Sequence, residues 1–124
     1  MVHILDENQI QDNYNKLRKL VNQTFSGERL EALNKMYDII EDRIILTPAS
    51  STAHFHNAFA GGYIDHVLRV TRNAVKVFDL YAELGMGMGD YTKETVIFTA
   101  LHHDHNGILK IKVRYIKQIQ KCIG

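Results

Sequence analysis

Six of the seven histidines in this 124-residue chain lie between positions 54 and 105, in two groups. The first group contains His54, His56 and His66, and the second is the run His102-His103-Asp104-His105. Neutral imidazole nitrogens and carboxylate oxygens are the usual ligands of divalent metals that support hydrolysis. These residue types indicate a metal or phosphate site, whereas a lone histidine on a helix is more often packed or solvated.

Two helices would have to bring these groups together. His66 lies in the first turn of an amphipathic segment that begins after Gly61-Gly62, and His103-Asp104 end a helix that begins at Lys93. If the two helices pack antiparallel across the glycine-rich connector 85–89, the start of the first meets the end of the second. An imidazole and an imidazole–carboxylate pair would then converge. The spacing alone leaves both this arrangement and packed histidines without a ligand open.

Hydrophobic periodicity predicts helices in all elements before residue 105, and a single proline, Pro48, favours helices over a β-sandwich. The first helix runs from about Glu7 to Asn22, the second from Arg29 to Glu41 with Ser26 as its cap, and the fourth starts after Asp90 or Thr92 and ends near Asp104. The apolar faces of the four predicted helices contain, in chain order, Ile10, Tyr14, Leu17, Leu20 and Val21; Leu30, Leu33, Met36, Tyr37 and Ile40; Val67, Leu68, Ala74, Val75, Phe78 and Tyr81; and Val96, Ile97, Ala100 and Leu101.

Composition places the chain among ordinary globular proteins, with 45% hydrophobic and 23% charged residues. These values exclude a disordered tail and a collagen-like repeat. A disulfide scaffold is also excluded, because Cys122 is the only cysteine. No apolar run reaches the roughly 20 residues of a membrane helix, and the first residues do not read as a signal peptide. We therefore expect a cytoplasmic protein without a membrane partner.

Charge divides the sequence into two parts. Residues 1–107 carry 10 basic and 14 acidic side chains, whereas residues 108–124 carry five basic side chains and no acidic one. The first part is predicted to be the helical domain. The second is a basic, Ile/Lys-rich tail whose strand-like and helical periodicities conflict. This tail could contact nucleic acid, but a solvated terminus is the simpler interpretation because it has no aromatic–basic motif.

Three segments taken together resemble the HD-domain metal-dependent phosphohydrolases. They are Pro48-Ala49-Ser50, His56-Asn57-Ala58-Phe59-Ala60-Gly61-Gly62-Tyr63-Ile64-Asp65-His66 and Ala100-Leu101-His102-His103-Asp104. The combination of Gly-Gly-x-x-x-His with a downstream Ala-Leu-x-His-Asp is specific, whereas either piece alone would be weak. The resemblance covers roughly residues 25 to 104 and implies an all-α, HD-domain-like helical bundle.

The resemblance also implies a set of functional residues. His66, His103 and Asp104 would bind a divalent metal (Mn, Fe, Zn, Mg or Ni), which would activate water for attack on a phosphate ester. His56 would line the phosphate or second-metal side. The expected catalytic residues are Asp104, which would orient water or bridge metals, and His56 or His102, which would hold the phosphate or protonate the leaving oxygen. The expected substrate is a nucleotide or another small phosphate ester.

Two departures from the family pattern follow the His-Asp doublet. The family continues with a hydrophobic residue, glycine and lysine, whereas this chain has Gly107 at the lysine position and its next lysine is Lys110. No carboxylate side chain follows Asp104 to match the family's later aspartate. These departures suggest an HD domain that is incomplete at its C-terminus. The alternative function is therefore a remnant that binds metal or phosphate without turnover. Apolar helix faces left uncovered would favour pairing into a homo-oligomer.

Overall fold

The computed structural model describes residues 4–48, 59–87, 89 and 91–103, and every regular element in these ranges is a helix. Helix α1 spans Glu7–Thr24, α2 spans Gly27–Ile44, α3 spans Gly62–Glu83 and α4 spans Lys93–His102. No strand occurs within the described ranges, which confirms the all-α prediction. The predicted tail 108–124 lies outside them, and the HD-domain character of the bundle stays a prediction.

Side-chain caps mark the starts of α1 and α4. Asp6 precedes α1 and forms a capping box: its carboxylate accepts a hydrogen bond from the Gln9 amide at 2.8 Å, and the Asp6 amide donates to the Gln9 side chain at 3.0 Å. The Thr92 hydroxyl accepts a hydrogen bond from the Thr95 amide at 3.2 Å at the start of α4. Of the two predicted caps, Asp90 and Thr92, the N-cap residue is therefore Thr92. Ser26 has the N-cap position of α2, but its side chain accepts no capping hydrogen bond within the described residues.

The boundaries of α1, α2 and α4 differ from the periodicity prediction by a few residues, and α1 continues past the predicted Asn22 to Thr24. Helix α2 begins before the predicted Arg29 and continues past Glu41 to Ile44, because Ile44 adds another buried side chain to the same face. Helix α4 ends at His102 rather than Asp104, and His103 is its C-cap residue. Asp104 itself lies outside the described residues.

The core draws side chains from all four helices. The most deeply buried are Leu17, Val21, Tyr37, Ile44, Ile64, Val67 and Leu101. Tyr81, predicted on the buried face of α3, is instead 39% exposed, and Val77 and Leu80 are exposed as well. All the buried residues of α3 lie between Gly62 and Thr71, so only the first half of this long helix is enclosed.

Helices α3 and α4 pack antiparallel, which is the condition under which the sequence brings His66 and His103 together. Asp79, late in α3, forms an ion pair with Lys93 at the start of α4, with an N–O distance of 2.8 Å. At the opposite end the rings of His66 and His103 approach each other. Among the described helices, none is both long and apolar enough to cross a membrane.

Candidate functional site

A glycine turn fixes the start of α3 and with it the position of His66. Gly61 is the N-cap residue and has φ +78°, a left-handed conformation that favours glycine. Its amide donates to the Leu46 carbonyl at 3.3 Å, and the Tyr63 amide donates to the Thr47 carbonyl at 2.9 Å. The first turn of α3 is thereby held against the segment that follows α2.

A methyl group at position 61 would collide with α1. A Cβ built there lies 2.7 Å from Cγ1 of Ile10, well inside van der Waals contact. Ile10 is buried and belongs to the α1 face that packs toward the core. Glycine is therefore required here both by the backbone conformation and by the close approach of α1 to the turn.

His66 and His103 meet where α3 starts and α4 ends. Their ring centroids are 5.9 Å apart and the ring planes are inclined by 50°. His66 is half-buried, and His103 is exposed to solvent. The structure therefore brings together these two predicted metal ligands, which are 37 positions apart in the sequence.

The backbone fixes the tautomer of His103. Its Nδ1 lies 2.7 Å from the Ala100 carbonyl oxygen, which can only accept, so Nδ1 carries the proton and donates. In the neutral ring the lone pair is then on Nε2. Histidines that bind metals commonly donate their other ring N–H to a backbone carbonyl in this way, because the bond orients the ring and raises its basicity.

The spacing of the two imidazoles fits a shared ion. With metal–nitrogen distances of about 2.1 Å, two imidazoles on one ion place their ring centroids about 5 to 6 Å apart. The observed 5.9 Å falls in this range. Within the described residues no three His, Cys, Asp or Glu side chains cluster closely enough to hold a metal. The two other predicted participants, Asp104 and His56, lie outside the described residues.

His102, the neighbour of His103, is engaged on a different side of α4. Its Nδ1 donates to the Phe98 carbonyl at 2.7 Å, and its Nε2 accepts from the Tyr37 hydroxyl at 3.0 Å. Tyr37 is 1% exposed, and burial raises the pKa of its phenol, so the hydroxyl keeps its proton and donates. Both ring nitrogens of His102 are thus occupied, and the contact with Tyr37 links α2 to α4.

The sequence predicts Tyr37 in the core and His102 among the candidate catalytic residues, but it does not indicate that the two side chains meet. The only available signal was a tyrosine on an apolar helix face, because a buried phenol needs a hydrogen-bond partner. Periodicity cannot tell which side chain of another helix supplies that partner.

A cleft that the sequence does not predict lies beside His103. It lies between α3 and α4, has a volume of about 350 Å³ and is lined mainly by apolar and small side chains, namely Val70, Ala74, Tyr91, Thr95, Val96, Thr99, Ala100 and His103. The sequence signal for its two walls is a pair of small side chains spaced i, i+4 on each helix, Val70/Ala74 on α3 and Thr95/Thr99 on α4. Such a cleft can receive the non-phosphate part of a small ligand held at His103.

Asp65, next to His66, does not belong to the histidine pair. Its carboxylate forms a 2.7 Å ion pair with Arg69 one turn later in α3. Consecutive residues project about 100° apart around a helix, so Asp65 and His66 lie on different faces. This carboxylate is therefore not an obvious substitute for Asp104.

Comparisons with known proteins add no identification. No protein-family model, no curated protein and no solved structure gives a significant match to the chain.

Proposed function

We propose that this protein is a metal-dependent phosphohydrolase of the HD-domain type, acting on a nucleotide or another phosphate ester. The observation that carries the proposal is the approach of His66 to His103, with Nδ1 of His103 donating to Ala100. The motif resemblance supports it independently, since both histidines are motif positions. The cleft beside His103 provides a place for the rest of the substrate.

His66, His103 and Asp104 would hold the metal in this proposal. A divalent cation there would supply Lewis acidity, which lowers the pKa of a coordinated water and offsets charge on the phosphoryl oxygens. His66 and His103 would contribute orientation, because one is held by the anchored first turn of α3 and the other by its bond to Ala100.

The two candidate catalytic histidines, His56 and His102, differ in what they can contribute. Both ring nitrogens of His102 already have partners, so its contact with Tyr37 suits a residue that positions the last turn of α4. A proton donor to the leaving oxygen needs a ring nitrogen that can reach the substrate. We therefore assign phosphate contact and proton donation to His56 and a positioning role to His102.

Metal analysis combined with a hydrolysis assay tests the proposal. Purified protein is analysed for bound transition metal and assayed with p-nitrophenyl phosphate and bis-p-nitrophenyl phosphate in Mn²⁺. We expect His66→Ala, His103→Ala and Asp104→Ala each to lose metal and activity. His3→Ala is the matched control because His3 is the one histidine outside positions 54–105. Metal content unchanged in both His66→Ala and His103→Ala would contradict the site.

The alternative is metal or phosphate binding without turnover. It is favoured by Gly107, which stands at the position where the family pattern has a lysine. The same assay distinguishes the two functions, because the alternative predicts site-dependent metal binding with no hydrolysis of either ester.

A further inference from the structure

A groove of about 600 Å³ lies between α1 and α3, separate from the histidine pair. Leu68, one of its lining residues, follows His66 by two positions and therefore lies about 200° around α3 from it. The groove and the candidate metal site occupy opposite sides of the same helix. A ligand of the groove would thus be different from the substrate proposed above.

Four cationic side chains line this groove, two from each helix. They are Lys16 and Lys19 of α1 and Arg72 and Lys76 of α3. Among the described residues none of the four has a carboxylate partner, whereas four other cations do: Arg18, Arg29, Arg69 and Lys93. No acidic residue lines the groove. Like charges facing each other across a groove repel, so an anionic ligand would relieve this repulsion.

The floor of the groove is aliphatic. Leu20, Leu68 and Val75 are half-buried and pack against the hydrophobic core from the groove side. Thr71 also lines the groove and is only 3% exposed, and its hydroxyl has no hydrogen-bond partner among the described residues. A buried hydroxyl without a partner is costly, and a polar group of a ligand would satisfy it.

We propose that this groove binds an acidic amphipathic helix of a partner protein. The aliphatic floor matches an apolar helix stripe, and the cations on both walls match carboxylates on the two flanks of that stripe. The lining of α1 extends from Lys16 to Gln23, about 10 Å along the helix axis. This length accommodates two turns of a docked helix.

Two other occupants fit less well. Residues after Asp104 of this chain carry five basic side chains and no acidic one, so the groove repels them. Single-stranded nucleic acid binds grooves that combine cations with aromatic side chains for base stacking. No aromatic side chain lines this groove, and its floor is aliphatic.

Peptide binding to the full chain tests the proposal. The probe is a fluorescein-labelled helical peptide of about 15 residues with leucines on one stripe and glutamates on both flanks, titrated by fluorescence anisotropy. We expect Lys19→Glu and Arg72→Glu each to weaken binding about tenfold, since each replaces an attraction by a repulsion. Lys35→Glu is the matched control: Lys35 is exposed on α2, outside the groove, and the variant changes net charge equally. The Lys35→Glu variant should bind the peptide with the affinity of the unmodified chain.

Three results would overturn the proposal. The first is equal binding of a peptide of the same composition whose leucines are scattered around the helix, because this would show attraction by charge alone. The second is a loss of peptide affinity in Lys35→Glu as large as the losses in Lys19→Glu and Arg72→Glu. The third is tighter, equally groove-dependent binding of an oligothymidylate of about 12 nucleotides, which would assign the groove to nucleic acid. Circular dichroism of each variant establishes that an effect does not come from unfolding.

Discussion

The two ends of the α3–α4 pair are built differently, although one antiparallel contact connects them. The site end comprises the Gly61 turn, His66, His102 and His103, and it is tied by backbone hydrogen bonds to the segment after α2 and by the Tyr37 hydroxyl to α2 itself. The connector end comprises Asp79, Lys93 and the residues between α3 and α4. Its ion pair is half-exposed, and Leu80 and Leu84 beside it are 49% and 64% exposed.

The two ends therefore differ in how firmly they fix the positions of their side chains. Buried packing and part-buried hydrogen bonds hold the site end, and both lose free energy when a side chain moves. A half-exposed ion pair is worth little, because water and salt screen it. The imidazoles therefore lie at the more firmly packed end of the α3–α4 pair.

Alanine at the two glycines flanking α3 should give the largest contrast between the ends. Gly61 and Gly85 have φ +78° and +74°, but only at Gly61 would a Cβ meet a side chain, that of Ile10. The left-handed conformation alone costs about 1 kcal/mol, so we expect about 1 kcal/mol for Gly85→Ala and about 3 kcal/mol for Gly61→Ala. Urea unfolding followed by circular dichroism measures both values. Equal losses would mean that the Gly61 turn is no more constrained than the connector end.

Metal binding should stabilise the site end selectively if the proposed function is right. A metal at a hundredfold excess over its dissociation constant raises the free energy of unfolding by about 2.7 kcal/mol. We expect Zn²⁺ or Mn²⁺ to raise the melting temperature, and both His66→Ala and His103→Ala to abolish the shift. Asp79→Asn at the connector end should keep it. A shift lost with only one of the two histidines would contradict a shared ion.

Much of this architecture can be predicted from the sequence. Apolar residues recur at helical spacing in all four segments, and the short glycine-rich connector permits α3 and α4 to pack as an antiparallel hairpin. That arrangement is enough to bring His66 and His103 to the same end. Tyr81 shows the limit of the pattern: it continues the apolar stripe of α3, but periodicity does not indicate how far the neighbouring helices extend along it.

The details of the site depend on contacts between elements, which spacing does not encode. His102 and His103 are adjacent in sequence, yet one is tied to Tyr37 and the other faces His66. The 100° step between helical neighbours predicts that they diverge, but not which one meets which partner. The proton on Nδ1 of His103 likewise follows from a carbonyl position that exists only in the folded chain.

Removing the Tyr37 hydroxyl should weaken the site end by a smaller amount. Tyr37→Phe leaves Nε2 of His102 without its donor, and we expect a loss of about 1 kcal/mol in unfolding free energy. Tyr91→Phe is the control, because Tyr91 is 67% exposed and its loss should stay within about 0.5 kcal/mol. Similar losses for the two variants would show that the link between α2 and α4 contributes nothing.

The pH dependence of stability provides an independent measurement of the same tyrosine. Burial raises the pKa of Tyr37, so the folded state holds this proton more tightly than the unfolded chain. Its contribution to stability is therefore complete below pH of about 10, the ordinary tyrosine value, and is lost as the pH rises above it. Tyr37→Phe should lose less stability between neutral and alkaline pH than the unmodified chain. An identical loss of stability at alkaline pH in the two proteins would contradict the raised pKa of Tyr37.

The ion pair at the connector end should give the smallest effect. Asp79 and Lys93 are 55% and 50% exposed, so Asp79→Asn should cost no more than about 0.5 kcal/mol. Screening should reduce even this difference at 1 M salt, where the Debye length falls to about 3 Å. Unfolding of both proteins at low and high salt measures it. A loss above about 1 kcal/mol that persists in high salt would mean that the ion pair also holds the connector end firmly in place. The contrast between the two ends of the α3–α4 pair would then be wrong.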